Sequence, residues 1–303
     1  MHRPTMQTQQ AQWLKGFGIF LCALLALAVL DVIAKSLVQR NSAPLVNLVR
    51  YVVVLVMALV IMLRRRTPFV ADTRQRGLLI GRGVMLGLVG VCFMPALQYL
   101  PLAQATAIYF LAPLIIVALS PFVLGERVGI KQYLLVLVGM FGMLLIVHPG
   151  GELSPVGSLL MFVAAFSFAL VQLLTRKLAG RVPGEQQYFY AAVTCTIMGS
   201  VVLVFYWPQV WPDMTDSLAM LLVGVLSGVG QYLLIRAFLL VPASTLAPFN
   251  YFHLMLAVIF SMVVFDQVPP MMAVWGMLLI TAAGLSLTMP MLISYWLTRN
   301  TKQ

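Results

Sequence analysis

Apolar residues gather into ten long runs along the chain, at Gly16–Ser36, Leu45–Leu63, Val84–Leu100, Ala105–Leu124, Gln132–His148, Val156–Thr175, Tyr188–Trp207, Leu218–Leu240, Ala243–Phe265 and Met271–Leu292. Each approaches the ~20 residues a helix needs to cross the hydrocarbon core of a bilayer. Pro101 divides the third run from the fourth, because proline cannot continue a helix and restricts the residue before it. The turn-rich segment Pro149–Pro155 separates the fifth run from the sixth. The first run is longer than the apolar core of a signal peptide, and no small-residue cleavage motif follows it, so it reads as a retained helix. The pattern predicts an all-α membrane protein of ten transmembrane helices.

Composition removes the soluble alternative. Of 303 residues, 62% are hydrophobic and 9% are charged, against roughly 25% charged in a soluble domain. The net charge of +11 does not point to nucleic acid, because the basic residues sit in the gaps between runs rather than on one periodic face. Their distribution orients the chain. With the amino terminus inside, the inner connections hold sixteen Lys and Arg and the outer side holds two, Lys35 and Arg40. Positive charge is retained on the cytoplasmic side, so both termini are expected in the cytoplasm. The run Arg64, Arg65, Arg66, Arg74, Arg76 and Arg82 reads as a topology determinant that also touches anionic lipid head groups.

The chain repeats itself. Shifted by 139–140 residues, Gly18–Ser36 falls over Gly157–Thr175 and Leu102–Val128 over Pro242–Val268, with Glu126 opposite Asp266. Each copy holds five runs, an odd number, so the second must enter the membrane inverted. Inverted repeats place a solute site near the midplane between the halves, with alternating access by rocking. The expected organisation is a cytoplasmic tail (1–15), a first five-helix repeat (16–148), a periplasmic linker (149–155), a second, inverted repeat (156–292) and a second cytoplasmic tail (293–303).

The stretch from Ala96-Leu97-Gln98-Tyr99-Leu100-Pro101 to Thr106-Ala107, then Pro113, then Leu124-Gly125-Glu126-Arg127-Val128, resembles the signature of EamA-type members of the drug/metabolite transporter superfamily. Val147-His148-Pro149-Gly150 is similar to that family's end of the first repeat. The second half departs from the pattern: Phe265-Asp266 replaces Gly-Glu, and His253 stands where the first half has Pro113. The resemblance implies ten helices, no ATP hydrolysis, and transport driven by a gradient or by exchange.

Few side chains within the runs can carry chemistry, and an ionisable one there costs at least ~2.5–3.5 kcal/mol on the insertion scale. Asp31 and Lys35 are one helical turn apart near the outer end of the first run and can pair. Two readings stay open, a helix-end ion pair with Lys35 reaching outward, and a gate or coupling site. Arg50, with Asn47 and Tyr51 beside it, either ties to Asp31 or holds a substrate carboxylate. Gln98, Tyr99, Thr106 and Tyr109 flank the turn between the third and fourth runs. Tyr232, Asn250 and His253 occupy comparable regions of the second half. Aromatic faces with a few amides and hydroxyls suit a small-molecule pocket, although polar side chains also bond neighbouring helices. Gln172, Gln231 and Arg236 are further candidates.

The sequence holds no phosphate loop, HExxH, paired-cysteine or GxSxG motif, so no catalytic residue, metal or cofactor is expected. Cys22, Cys92 and Cys195 are scattered and read as small apolar residues. The reading is a secondary active transporter in the bacterial inner membrane that moves a small polar, zwitterionic or anionic metabolite. On the resemblance it leans to export, of amino acids or amino-acid-derived opines and metallophores. One alternative is uptake of a vitamin-like solute such as riboflavin. Another, of a different class, is an intramembrane lipid-modifying enzyme, which the scarcity of carboxylates opposes. The partners expected are the metabolite and membrane lipid, with no nucleic acid, and the chain is a monomer or homodimer.

Overall fold

The computed structural model describes the backbone of residues 6–125, 129–147, 154–178, 181–208, 210–240 and 251–300. Among these residues all regular structure is helical: α1 (Met6–Arg40), α2 (Ala43–Arg65), α3 (Thr73–Tyr99), α4 (Leu102–Tyr109), α5 (Ala112–Leu124), α6 (Ile130–Val147), α7 (Pro155–Leu178), α8 (Gly184–Phe205), α9 (Met214–Leu240), α10 (Tyr251–Phe265) and α11 (Met271–Asn300). Seven stretches are long and apolar enough to cross a membrane, and three shorter apolar helices occupy the places of the fifth, ninth and tenth runs. The described part of the ninth run begins at Tyr251.

Helix ends follow local chemistry. Pro44 opens α2, where its missing N–H is not needed. That helix closes at Arg66, held left-handed at φ 50°, with the Arg66 and Thr67 N–H groups donating to Leu63 and Met62 carbonyls. The Asp72 carboxylate accepts from the Arg74 N–H and starts α3. α3 therefore begins eleven residues before the predicted Val84, and Arg74, Arg76 and Arg82 lie inside a helix rather than in a connection. Hydropathy alone missed this polar opening.

The fourth run is not one helix. α4 ends at Tyr109 and α5 begins at Ala112, because Pro113 has no N–H for the Tyr109 carbonyl and its ring crowds that turn. The Leu111 and Leu114 N–H groups bond three residues back instead, to Ile108 and Leu111 carbonyls. Irregular backbone at membrane depth persists only where protein or a cavity surrounds it. Phe110 and Leu111 are accordingly buried, at 8% and 0% exposure.

The two five-helix halves correspond more exactingly than the sequence shift suggested. Ala43 and Gly184, Thr73 and Met214, and Ile130 and Met271 open matching helices, each pair 141 residues apart. Leu124 and Phe265 close a fourth pair, followed by Gly125 at φ 70° and Asp266 at φ 50°. Asp266 is thus the structural counterpart of Gly125, not of Glu126. A left-handed cap accounts for the departure from Gly, since aspartate is among the few side chains that tolerate that conformation.

The halves interlock rather than sit side by side. α1 runs along α9, α3 along α7 and α8, α2 along α8 and α9, and α6 along α11. Both ends of the bundle are tied across this division. At the end opposite the Arg64–Arg66 cluster, Asp216 in the first turn of α9 pairs with Arg40 at 3.2 Å and accepts from Asn41 at 2.6 Å. At the basic end, Arg82 of α3 donates to Thr175 Oγ1 of α7 at 2.6 Å and to the Gln187 carbonyl of α8 at 3.1 Å.

Candidate functional site

The break between α4 and α5 lies against a cluster of ionisable and aromatic groups. Asp31, 7% exposed on α1, points at α10, where His253 Nε2 is 3.1 Å from its Oδ2. The imidazole is close enough to form an ion pair when protonated but lies off the line of a hydrogen bond. Phe110, at the break, meets the His253 ring edge-on at 6.0 Å. Tyr109, the last residue of α4, stands between Phe93 and Phe168, at 5.2 and 5.1 Å between ring centres.

Arg50 is the second feature. Helical spacing on α2 puts Asn47 one turn before it, and its guanidinium donates to Asn47 Oδ1 at 3.0 Å. The guanidinium carbon also lies 4.4 Å from the centre of the Tyr51 ring. Arg50 is only 9% exposed, and its Nε has no acceptor. No ion pair joins it to a carboxylate among the described residues, so the expected tie to Asp31 is not made. Burying a donor without a partner costs about 1–3 kcal/mol. A small cavity of about 10 Å³, lined by Asn47 with Ala43, Pro44, Gly90, Pro95 and Gly199 among others, adjoins this group.

The expected Asp31–Lys35 pair is also absent. Lys35, 2% exposed, turns away and donates to the carbonyls of Leu97 (3.0 Å) and Leu100 (2.6 Å). These acceptors belong to the last turn of α3, where carbonyls lack intrahelical partners and a cation complements the helix dipole. The ammonium also lies 5.6 Å from the Phe265 ring centre. Lys35 is thus neither an outward-reaching end nor part of the central cluster.

The other candidates divide. Asp31 meets His253 across α1 and α10, Asn47 and Arg50 bond on α2, and Tyr109 packs at the break between α4 and α5. Thr106 is buried on α4 with its hydroxyl unpartnered. Gln98 instead ties α3 to α1, donating to the Val38 carbonyl at 2.6 Å. Tyr99 is 51% exposed at the end of α3, and Gln172 and Arg236 are exposed as well. Tyr232 and Gln231 are half-buried on α9, and Asn250 lies outside the described residues. Sequence reasoning passed over Gln104, buried with Oε1 unpartnered, and Gly90. Gln104 sits within the motif that carries the family resemblance, two residues before Thr106, and that position is the signal for it.

Comparison with known proteins comes out consistently. The EamA-like transporter family matches the chain twice, over residues 14–148 and 155–289. The chain is 25% identical to an S-adenosylmethionine uptake transporter of Rickettsia bellii, over 89% of this chain and 92% of that protein. It is 29% identical to the pseudopaline exporter CntI of Pseudomonas aeruginosa, over 76% and 81%. It is 27% identical to a riboflavin transporter of Vibrio cholerae, over 96% of both.

Proposed function

The chain belongs to the EamA-like transporter family, a multi-pass bacterial membrane protein, and from that premise we propose that it is a secondary carrier exporting a small metabolite that bears a carboxylate and an amine. One observation carries the reading: Arg50 is buried with an Nε that lacks an acceptor, and no ion pair joins it to a carboxylate among the described residues. A carboxylate on the solute would supply the missing acceptor through a charge-assisted hydrogen bond. Asp31, beside the His253 imidazole, would receive the ammonium. Tyr109 and Phe110 border the space between with aromatic faces.

The amino-acid part of S-adenosylmethionine, the solute of one relative, has this pairing of groups. Likeness to the pseudopaline exporter supports the direction. A second reading, uptake, is favoured by the relatives described as uptake transporters. The ties between the halves, at Asp216 on one side and Arg82 on the other, suit either direction.

Metabolite comparison between deletion, wild-type and overproducing strains tests the proposal. Export requires a carboxylate-bearing compound to accumulate inside the deletion strain and outside the overproducer. Slower removal of a nutrient from the medium by the deletion strain would replace export with uptake.

A further inference from the structure

Glycines line two mirrored tracks between the halves. On α3, a Cβ at Gly83 would stand 2.6 Å from Thr194 Oγ1 of α8, and one at Gly87 would meet Met198. On α9, a Cβ at Gly224 would stand 2.6 Å from Val53 Cβ of α2, and one at Gly228 would meet Met57. Each glycine and each partner is 141 residues from its counterpart, the spacing of the helix starts. Small residues let helices approach this closely within a membrane.

The third step of the track breaks the mirror. On α3 it is Gly90, where a Cβ would lie 2.7 Å from Asn47 Oδ1, 2.8 Å from Tyr51 Cε2 and 3.1 Å from an Arg50 terminal nitrogen. The residue 141 positions on is Gln231, and the counterparts of Arg50 and Tyr51 are Ala191 and Ala192. At this step the bulk comes from α2, a helix of the same half, rather than from α8, and α3 supplies none. The unpartnered Arg50 Nε and the small cavity beside Asn47 both adjoin Gly90.

We propose that Gly90 is a positioning residue for solute recognition: the side chain it lacks leaves the room in which Asn47 and Arg50 meet, and so sets the preference for a solute carboxylate. The inference rests on the carrier reading above. It requires that filling position 90 displace the guanidinium, whereas filling position 87 displaces only the flexible end of Met198.

Liposomes carrying the full-length protein are loaded with an equimolar mixture of the protein amino acids, their carboxamides, S-adenosylmethionine and riboflavin. Efflux is followed by mass spectrometry. The wild type is expected to release at least one carboxylate-bearing compound in preference to its carboxamide or to riboflavin. Gly90→Ala should cut that preference about tenfold or more, since a site built to bond a solute group discriminates strongly. Gly87→Ala should keep it within about threefold. A Gly90→Ala protein with unchanged preference overturns the inference, as does a wild type that moves compounds without regard to the carboxylate. A wild type that moves none of them overturns the carrier reading itself, and the inference with it.

If Gly90→Ala does not insert, the comparison moves to Asn47→Ser with and without Gly90→Ala. The shorter serine removes the atom nearest the new Cβ. Adding Gly90→Ala to that background should reduce preference by less than about threefold, because both changes act on one cradle. A further loss of about tenfold or more in that background would show that Gly90 works elsewhere and would overturn the inference.

Discussion

Lys35 and Arg50 are two buried cations on adjacent helices of the same half, and the structure uses them oppositely. Lys35 is the more deeply buried, yet its ammonium is satisfied by two carbonyls at the end of α3 and by the face of Phe265. Among the described residues Arg50 donates to Asn47 and keeps its Nε without an acceptor. Burial of charge therefore does not mark a site in this protein; incomplete satisfaction does. A cation that closes off helix-end carbonyls is a structural cap, while one held short of an acceptor is prepared to take one from outside.

The largest effect that could break this comparison is expected from Arg50→Ala. Carboxylate-solute flux in liposomes should fall at least about thirtyfold, the worth of a charged hydrogen bond of about 2 kcal/mol, while yield in the membrane stays near wild type. Arg50→Lys keeps the charge but loses the planar fork, and should recover only part of the flux. Normal flux in both variants would remove Arg50 from the site.

Asp31→Asn comes next. Flux of an ammonium-bearing solute should drop about tenfold, the worth of one charge-assisted hydrogen bond, while flux of the same carboxylate lacking its ammonium stays within about threefold of wild type. Equal losses for the two solutes would remove Asp31 from the ammonium's side of the site.

The smallest effect on transport is expected from Lys35→Met. It leaves the Leu97 and Leu100 carbonyls unpaired and should lower stability by about 1–3 kcal/mol, read as a reduced Tm in detergent. Flux per inserted molecule should stay within about threefold of wild type. A selective loss of transport at normal Tm would make Lys35 part of the transport machinery and erase the contrast.

Much of the fold was legible in the amino-acid order, because a bilayer imposes a length and an apolarity that each crossing must meet. The ten runs, the repeat and the family resemblance all follow from that order and from spacing along it. Helix beginnings such as Thr73 were hidden, since polar first turns lie beyond the apolar run and are set by caps like Asp72. The candidates were read from residue type, and Asp31 and His253 do meet across α1 and α10. Their partners were not readable: spacing paired Asp31 with Lys35, whereas the fold gave Asp31 the imidazole of His253 and Lys35 the end of α3.

What the chain determined by itself is therefore its solvent, its helices and its internal symmetry, properties carried by local composition and periodicity. Tertiary structure alone decided which buried charges are satisfied, and that Gly90 rather than its mirror Gln231 adjoins the arginine. The reason is physical. Satisfaction of a buried polar group depends on atoms within about 3 Å, and those atoms come from helices far apart in the chain, brought together only when the two halves interlock.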